Sequence, residues 1–204
     1  MQVLKDDIRD RIINAALENF AEQGFVKTSM ADIAKKAGLS VGNLYLYYKN
    51  KNELFYSVIP QSLVAQLKSQ LMKRISFAKG SELSEIRENP AYMFIGEEMI
   101  EFYCKYRLQI LIVLETPENT PYAGLKKEVV NYLANLFFQY TESLPNELDR
   151  RDIEELKELI PIIYNSLISS LLNILKITAS KDQLRLQLRK LISYHLFGLN
   201  EFVK

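Results

Sequence analysis

The side chains able to do covalent or metal chemistry are few. One histidine, His195, and one cysteine, Cys104, occur in 204 residues. Any triad or zinc site that needs histidine has only His195 to use, and an internal disulfide or multi-cysteine metal site is excluded. Residues 52–204 contain no phosphate-cradling glycine loop, no dinucleotide fingerprint and no histidine-bearing metal pattern. His195 falls on the apolar stripe of the last helical pattern and reads as a packed interface residue. Cys104 falls in the apolar run Phe102-Tyr103-Cys104 and reads as a buried, inert thiol. Neither an enzyme activity nor a cofactor or metal is expected.

Recognition chemistry is concentrated in one short stretch. Gly38-Leu39-Ser40 precedes Val41-Gly42-Asn43-Leu44-Tyr45-Leu46-Tyr47-Tyr48: two short helices meeting at a glycine-bearing turn, the layout of a helix-turn-helix. At about a hundred degrees per residue, Leu44 and Tyr48 face a core of Phe20, Ile33 and Ala34. Gly42, Asn43, Tyr45 and Leu46 then point outward, with Val41 and Tyr47 at the margins. This face is small and polar at its start and aromatic towards its end, which suits a helix whose first turn enters a major groove. Gly42 allows close approach, Asn43 can hydrogen-bond base edges, and tyrosine hydroxyls reach phosphates. Tyr45 has an alternative, with its ring packed inward and only its hydroxyl exposed.

Flanking residues extend this surface. Lys49 reads equally as a DNA contact or a solvated charge. Lys51 opens the next helix, where its ammonium and the free backbone N–H groups can grip one phosphate together. Thr28 and Ser29 offer a second phosphate clamp at the start of the preceding helix, and Ser40 stands at the start of the recognition helix. The net charge is only +1, so no global basic field drives nucleic-acid or membrane binding. Residues 1–51 hold eight Lys/Arg against six Asp/Glu, net +2, which implies a modest salt dependence per subunit.

The elements that must position these residues are helices. Seven glycines and six prolines imply long elements and few loops. Ile8, Ile12, Ile13, Ala16, Leu17 and Phe20 form one stripe, and Gly24 supplies its stop. Ser29 with Asp32 makes a capping box for a short helix ending at Gly38. A third helix starts after Ser40, and a fourth runs from Lys51 through Leu54, Phe55 and Val58, with a kink or break expected at Pro60. Residues 76–90 read as a loop with a helical piece, and Ala91 to Leu114 is strongly apolar. Thr120 and Pro121 suit the N-cap and N1 of a helix carrying Leu125, Val129, Leu133, Leu136 and Tyr140. Leu144-Pro145-Asn146 breaks it, and Ile153 to Leu175 follows. Ser180 with Gln183 opens the last helix, whose stripe is Leu184, Leu188, Leu191, His195, Leu199 and Phe202. Eight to ten helices and no strand make an all-α fold.

No export signal is read, since Asp6-Asp7 turns the N-terminus acidic. The apolar window Ile160 to Leu175 is interrupted by Pro161, Asn165 and three serines and is shorter than a membrane span needs. A soluble, cytoplasmic protein with no membrane partner is expected.

The run from Ile12 to Phe55 resembles the DNA-binding domain of TetR-type transcriptional regulators. The resemblance is carried by Ala15-Ala16-Leu17 with Phe20, Gly24-Phe25, Thr28-Ser29-Met30-Ala31-Asp32-Ile33-Ala34, the run from Gly38 to Tyr48, and Lys49-Asn50-Lys51 before Glu53-Leu54-Phe55. It implies DNA contacts from Ser29, Val41, Gly42, Asn43, Tyr45, Tyr47 and Lys51. Tyrosine stands at 47 and 48, where the family often has histidine and phenylalanine. The resemblance further implies a three-helix DNA-binding domain over 1–50 and a helical ligand-binding and dimerisation domain over 51–204.

In that second domain the aromatics Tyr92, Phe102, Tyr103, Tyr106, Phe138 and Tyr164 read singly as core. As a group they are candidates to line a cavity between helices. By the resemblance, the last two long helices, roughly 151–176 and 181–203, form a four-helix dimer interface, with Leu188, Leu191, His195, Gly198, Leu199 and Phe202 on the apolar stripe. The expected protein is a homodimeric repressor on a near-palindromic double-stranded operator, released by a small hydrophobic or amphipathic effector. Two alternatives stay open: a DNA-binding regulator without an inducer, and one whose ligand promotes DNA binding.

Overall fold

Ile12, Ala16 and Phe20, spaced four residues apart, are all buried, so the first stripe forms a helix packed along one face. This helix, α1 (Gln2–Lys27), is interrupted at Gly24, where φ 77° and ψ 163° put the chain in a conformation that glycine adopts without penalty. The computed structural model describes residues 2–78, 96–115, 120–142, 150–200 and 202. Among them the further elements are α2 (Met30–Lys36), α3 (Val41–Tyr45), α4 (Lys51–Val58), α5 (Gln61–Ala78), α6 (Glu97–Lys105), α7 (Arg107–Glu115), α8 (Leu125–Thr141), α9 (Arg150–Ile177) and α10 (Lys181–Asn200). All are helices, and the described residues contain no strand. Tyr92, a candidate for the cavity, lies outside the described residues.

The chain divides into two compact units. Met1–Leu67 with Tyr106–Gly124 make the first, and Lys68–Lys105 with Leu125–Lys204 the second. A boundary at residue 50 therefore falls inside the first unit. The physical reason is α4, whose Leu54 and Phe55 are fully buried. The Phe55 ring centroid lies 5.2 Å from that of Phe20 and 4.8 Å from that of Phe25, both edge-on. Burying three phenylalanines against one another contributes about 1.5–3 kcal/mol each, enough to bind α4 to α1. Pro60 separates α4 from α5, as its missing N–H demands. Tyr122 closes the far end of α4: its hydroxyl donates to the Ile59 carbonyl at 2.9 Å, and its ring meets Tyr56 edge-on at 5.8 Å.

Thr120 and Pro121 do not begin α8. They belong to a turn in which Ala123 N donates to Thr120 O at 3.0 Å, and the helix starts only at Leu125, after Gly124 at φ 85°. A residue at that φ ends helical hydrogen bonding, so a cap placed before it cannot open the helix.

In the second unit Ala134 and Phe137 of α8 pack with Leu156 and Ile160 of α9, and Phe138, Ile163, Tyr164 and Leu199 lean on that cluster. The α9 stretch Ile153–Ile177 spans 25 residues, longer than the window read from sequence, and contains a stretch of mean hydropathy 1.4, long and apolar enough to cross a membrane by length and composition. Here it is a packed helix, with Ile168, Leu172 and Leu175 buried. Ser180 caps α10 by accepting from Gln183 N at 3.2 Å. Lys181 pairs with Glu97 and Glu101, and Arg185 with Glu97, joining the start of α10 to α6. Cys104 is exposed, against the buried thiol expected from its apolar run. Phe102 and Tyr103 take the inward positions of α6, and the next residue along a helix turns away from them.

Candidate nucleic-acid interface

Two serines set the frame of the helix-turn-helix. Ser29 accepts from Asp32 N at 3.1 Å while its own N–H donates to the Asp32 carboxylate at 3.1 Å, the reciprocal capping box. The Ser29 hydroxyl, which donates to the Asp32 carboxylate at 2.5 Å, and after it the Ser29 N–H hold the Asp32 carboxyl below its ordinary range. Ser40 accepts from Asn43 N at 3.2 Å and so opens α3. Between α2 and α3 the chain turns at Gly38, φ 68°. Arg11 Nη2 donates to the Ala37 and Gly38 carbonyls, closing the C-terminal end of α2 from α1. Asn50, which received no role from sequence, caps α4 by accepting from Glu53 N at 2.8 Å, and Glu53 reciprocates to Lys49 N at 2.8 Å.

On this frame α3 presents the face that its periodicity predicts. Leu44 and Tyr48 are buried, and Val41, Gly42, Asn43, Tyr45 and Leu46 are all exposed, with Tyr47 half-buried. A Cβ on Gly42 would meet nothing within 4 Å, so its surface is open to close approach. Tyr45 is 49% exposed, which settles its two sequence alternatives in favour of the outward ring. Leu46 is 82% exposed, far more than a leucine needs for its own fold. Its outward direction was legible from periodicity, but it stood outside the expected contact set.

Two of the expected phosphate contacts are engaged elsewhere. Thr28 is 1% exposed, and its hydroxyl donates to Gly24 O at 2.8 Å and Asn19 O at 3.1 Å. A threonine one turn beyond a carbonyl can bond back to it, so Thr28 braces the α1–α2 corner and presents no clamp. The Lys51 ammonium donates to Phe25 O at 2.7 Å, Thr28 O at 2.8 Å and Val26 O at 3.3 Å. It also sits 4.5 Å over the Phe25 ring. Lys49 is exposed, and Ser29 and Ser40 lie at the surface as caps. Ser29, Ser40, Val41, Gly42, Asn43, Tyr45 and Lys49 are thus exposed in the first unit, with Tyr47 half-buried.

The candidate ligand and interface residues are distributed differently. Phe138 and Tyr164 meet in the α8–α9 cluster, where burial pushes the Tyr164 hydroxyl up to about 12. Phe102 and Tyr103 contact ring to ring at 6.3 Å in α6, and Tyr106 belongs to the first unit. Of the expected interface, Leu188 and His195 are buried within the chain, and burial lowers the His195 imidazole below its ordinary value. Leu191 and Leu199 are half-buried, Gly198 and Phe202 exposed. Of the six residues read as an interface, two thus lie inside the chain's own core, two are half-buried and two are exposed. The opposite face carries Leu186 and Tyr194, the latter 75% exposed, and α9 exposes Ile162 at 65%. A helix apolar on two sides shows its period in sequence, but not which side the chain itself covers.

Comparison with known proteins agrees with this geometry. Residues 12–58 match the family described as bacterial regulatory proteins, tetR family. Over 66 residues the chain is 38% identical to the uncharacterized HTH-type transcriptional regulator YvdT of Bacillus subtilis, covering 32% of this chain and 34% of that protein. Over 53 residues it is 40% identical to the fatty acid metabolism regulator protein of the same organism, covering 26% and 27%. The alignments therefore span about a third or less of each relative. A crystal structure of a TetR-like transcriptional regulator from Rhodococcus sp. RHA1 matches in fold at a TM-score of 0.54 and 22% identity, covering 94% of this chain and 96% of that one.

Proposed function

We propose that this chain, whose residues 12–58 match the tetR family of bacterial regulatory proteins, is a homodimeric repressor that a small hydrophobic or amphipathic ligand releases from DNA. The observation that carries this reading is the α3 face. Val41, Gly42, Asn43, Tyr45 and Leu46 are exposed together on a helix whose opposite side is buried. In a major groove Asn43 supplies the amide for a base edge, and Val41 and Leu46 supply apolar contact for thymine methyl groups. Tyr45 and Tyr47 hydroxyls and Lys49 serve phosphates, and the open Gly42 lets the backbone come close.

One such helix reads few bases, so two copies are needed, on half-sites about one helical turn apart. The exposed apolar side chains Leu159 and Ile162 of α9 with Leu186 and Tyr194 of α10 are the surface for a second copy, and Gly198 admits close approach there. Effector binding is placed at the apolar, aromatic α8–α9 cluster, where Tyr164 lends a hydroxyl that stays neutral. Ligand and DNA then compete through a coupling of about 1–3 kcal/mol, and each 1.4 kcal/mol changes operator affinity about tenfold. One relative is named a fatty acid metabolism regulator, which makes a fatty acid the first effector to test.

The test is binding of Asn43→Ala and Tyr45→Ala to a duplex enriched by the wild-type chain from a random pool. Each variant is expected to lose specific affinity by about 1–3 kcal/mol per half-site while remaining dimeric by light scattering. Wild-type binding by both variants would remove α3 as the reading helix.

A further inference from the structure

Lys51 is the first residue of α4, where a cation beside free backbone N–H groups invites a phosphate. Its ammonium is nevertheless already committed. A lysine has three donor hydrogens, and three carbonyl oxygens, from Phe25, Val26 and Thr28, lie within 2.7 to 3.3 Å of Nζ. Those carbonyls sit just past the break at Gly24, at the C-terminal end of α1, where the helix dipole favours a cation. The Phe25 ring closes the site from one side at 4.5 Å, and that ring in turn packs on Phe55 of α4 at 4.8 Å. Burial alone pushes the ammonium below the usual lysine value, while the three carbonyls favour its charged form.

We propose that Lys51 is a positioning residue: it locks α4 to the end of α1, fixing the corner from which α2 and α3 are presented, and it does not serve as a phosphate ligand. This rests on the DNA-binding reading of α3. Swinging Nζ to a phosphate breaks three hydrogen bonds to a cation and strips partly buried carbonyls of their partner, a cost that one phosphate contact at a solvated surface does not offset. Arg11 does the same work at the other corner, donating to the Ala37 and Gly38 carbonyls at the end of α2. Lys36 is paired with Glu18 and Glu22. Three of the eight basic residues in 1–51 are therefore structural, and exposed lysines such as Lys27 and Lys49 remain for the phosphates.

Competitive acetylation of the full wild-type chain, without DNA, reads this directly by mass spectrometry. Lys51 is expected to react at least about tenfold more slowly than Lys49, since a hydrogen bond to a charged group is worth about a decade or more in population. Equal rates would overturn the proposal whether or not the protein binds DNA. Lys51→Met is the second arm, measured against the enriched duplex over a range of salt. Expected are weaker binding, a lower Tm and an unchanged slope of log affinity against log salt. A slope that drops by about one per subunit with a wild-type Tm would assign Lys51 to phosphate and overturn the proposal. If Lys51→Met does not fold, the acetylation rates decide alone. If the wild-type chain enriches no duplex, the DNA-binding reading fails while the acetylation result still judges the Lys51 lock.

Discussion

The first unit adds to its buried aromatic core a set of directed interactions at helix ends, while the second rests mainly on stripes of apolar side chains along long helices. In the first, Ser29, Ser40 and Asn50 cap α2, α3 and α4. Arg11, Thr28, Lys51 and Tyr122 bond to the carbonyls of helix ends or corners. In the second, α8, α9 and α10 meet through Phe137, Leu156, Ile160, Leu184 and Leu188, all buried. On the proposed function, the difference has a use: a face that must hold one orientation towards DNA sits on short capped helices, and a bundle that must accept a ligand and a second copy rests on side chains that can repack.

Removing the aromatic keystone of the first unit is the largest expected break. Phe55→Ala should cost about 3–5 kcal/mol, and because it touches one unit only, denaturant unfolding should become biphasic with the first unit melting early. One unshifted cooperative transition would erase the distinction between the units. Next comes Gly38→Ala. A side chain at φ 68° is strained, and the new Cβ would lie 2.8 Å from Arg11 Nη2, so a loss of about 1–2 kcal/mol is expected from the backbone alone. Calorimetry of the purified variant measures it.

What could be read in the sequence follows the same division. Caps are local chemistry, so Ser29 with Asp32 and Ser180 with Gln183 were legible from spacing, as was the inward turn of Leu44 and Tyr48. Thr120-Pro121 has the form of a cap but does not act as one, because Gly124 four residues on takes a positive φ that the pattern does not display. Thr28 and Lys51 show a related limit of spacing rules. Their side chains reach back to carbonyls at the end of α1, and no spacing rule tells a lysine at a helix start that another helix ends beside it. In the second unit the stripe of α10 is legible, but not which of its residues the chain itself covers. Leu188 and His195 turn to the chain's own core, while Tyr194, one residue from His195, is exposed.

Cap deletions sharpen the comparison further. Ser40→Ala and Ser180→Ala should each cost about 1 kcal/mol, yet only Ser40→Ala should weaken DNA binding, as titration of both variants against one duplex will reveal. A pH series tests the second unit more gently. Burial depresses the His195 value in the folded chain, so the unfolded chain takes up the proton first. Above about pH 6.5 both forms are neutral and the residue adds no pH dependence. As pH falls below that value stability should decline, levelling once the folded-state value is passed. His195→Gln should flatten that part of a Tm–pH curve. The smallest effect is expected from Arg185→Ala, since its partners Glu97 and Asp182 are exposed, and exposed pairs contribute little. Thermal melts should not separate it from wild type.

The central claim, that α3 of each of two copies reads DNA, is met most directly by parallel enrichment of random duplexes with the wild-type chain and with Asn43→Ala. The expected result is an inverted repeat with half-sites about one helical turn apart, recovered by the wild type and lost by the variant. Recovery of the same repeat by Asn43→Ala, or no common sequence from the wild type, would contradict it.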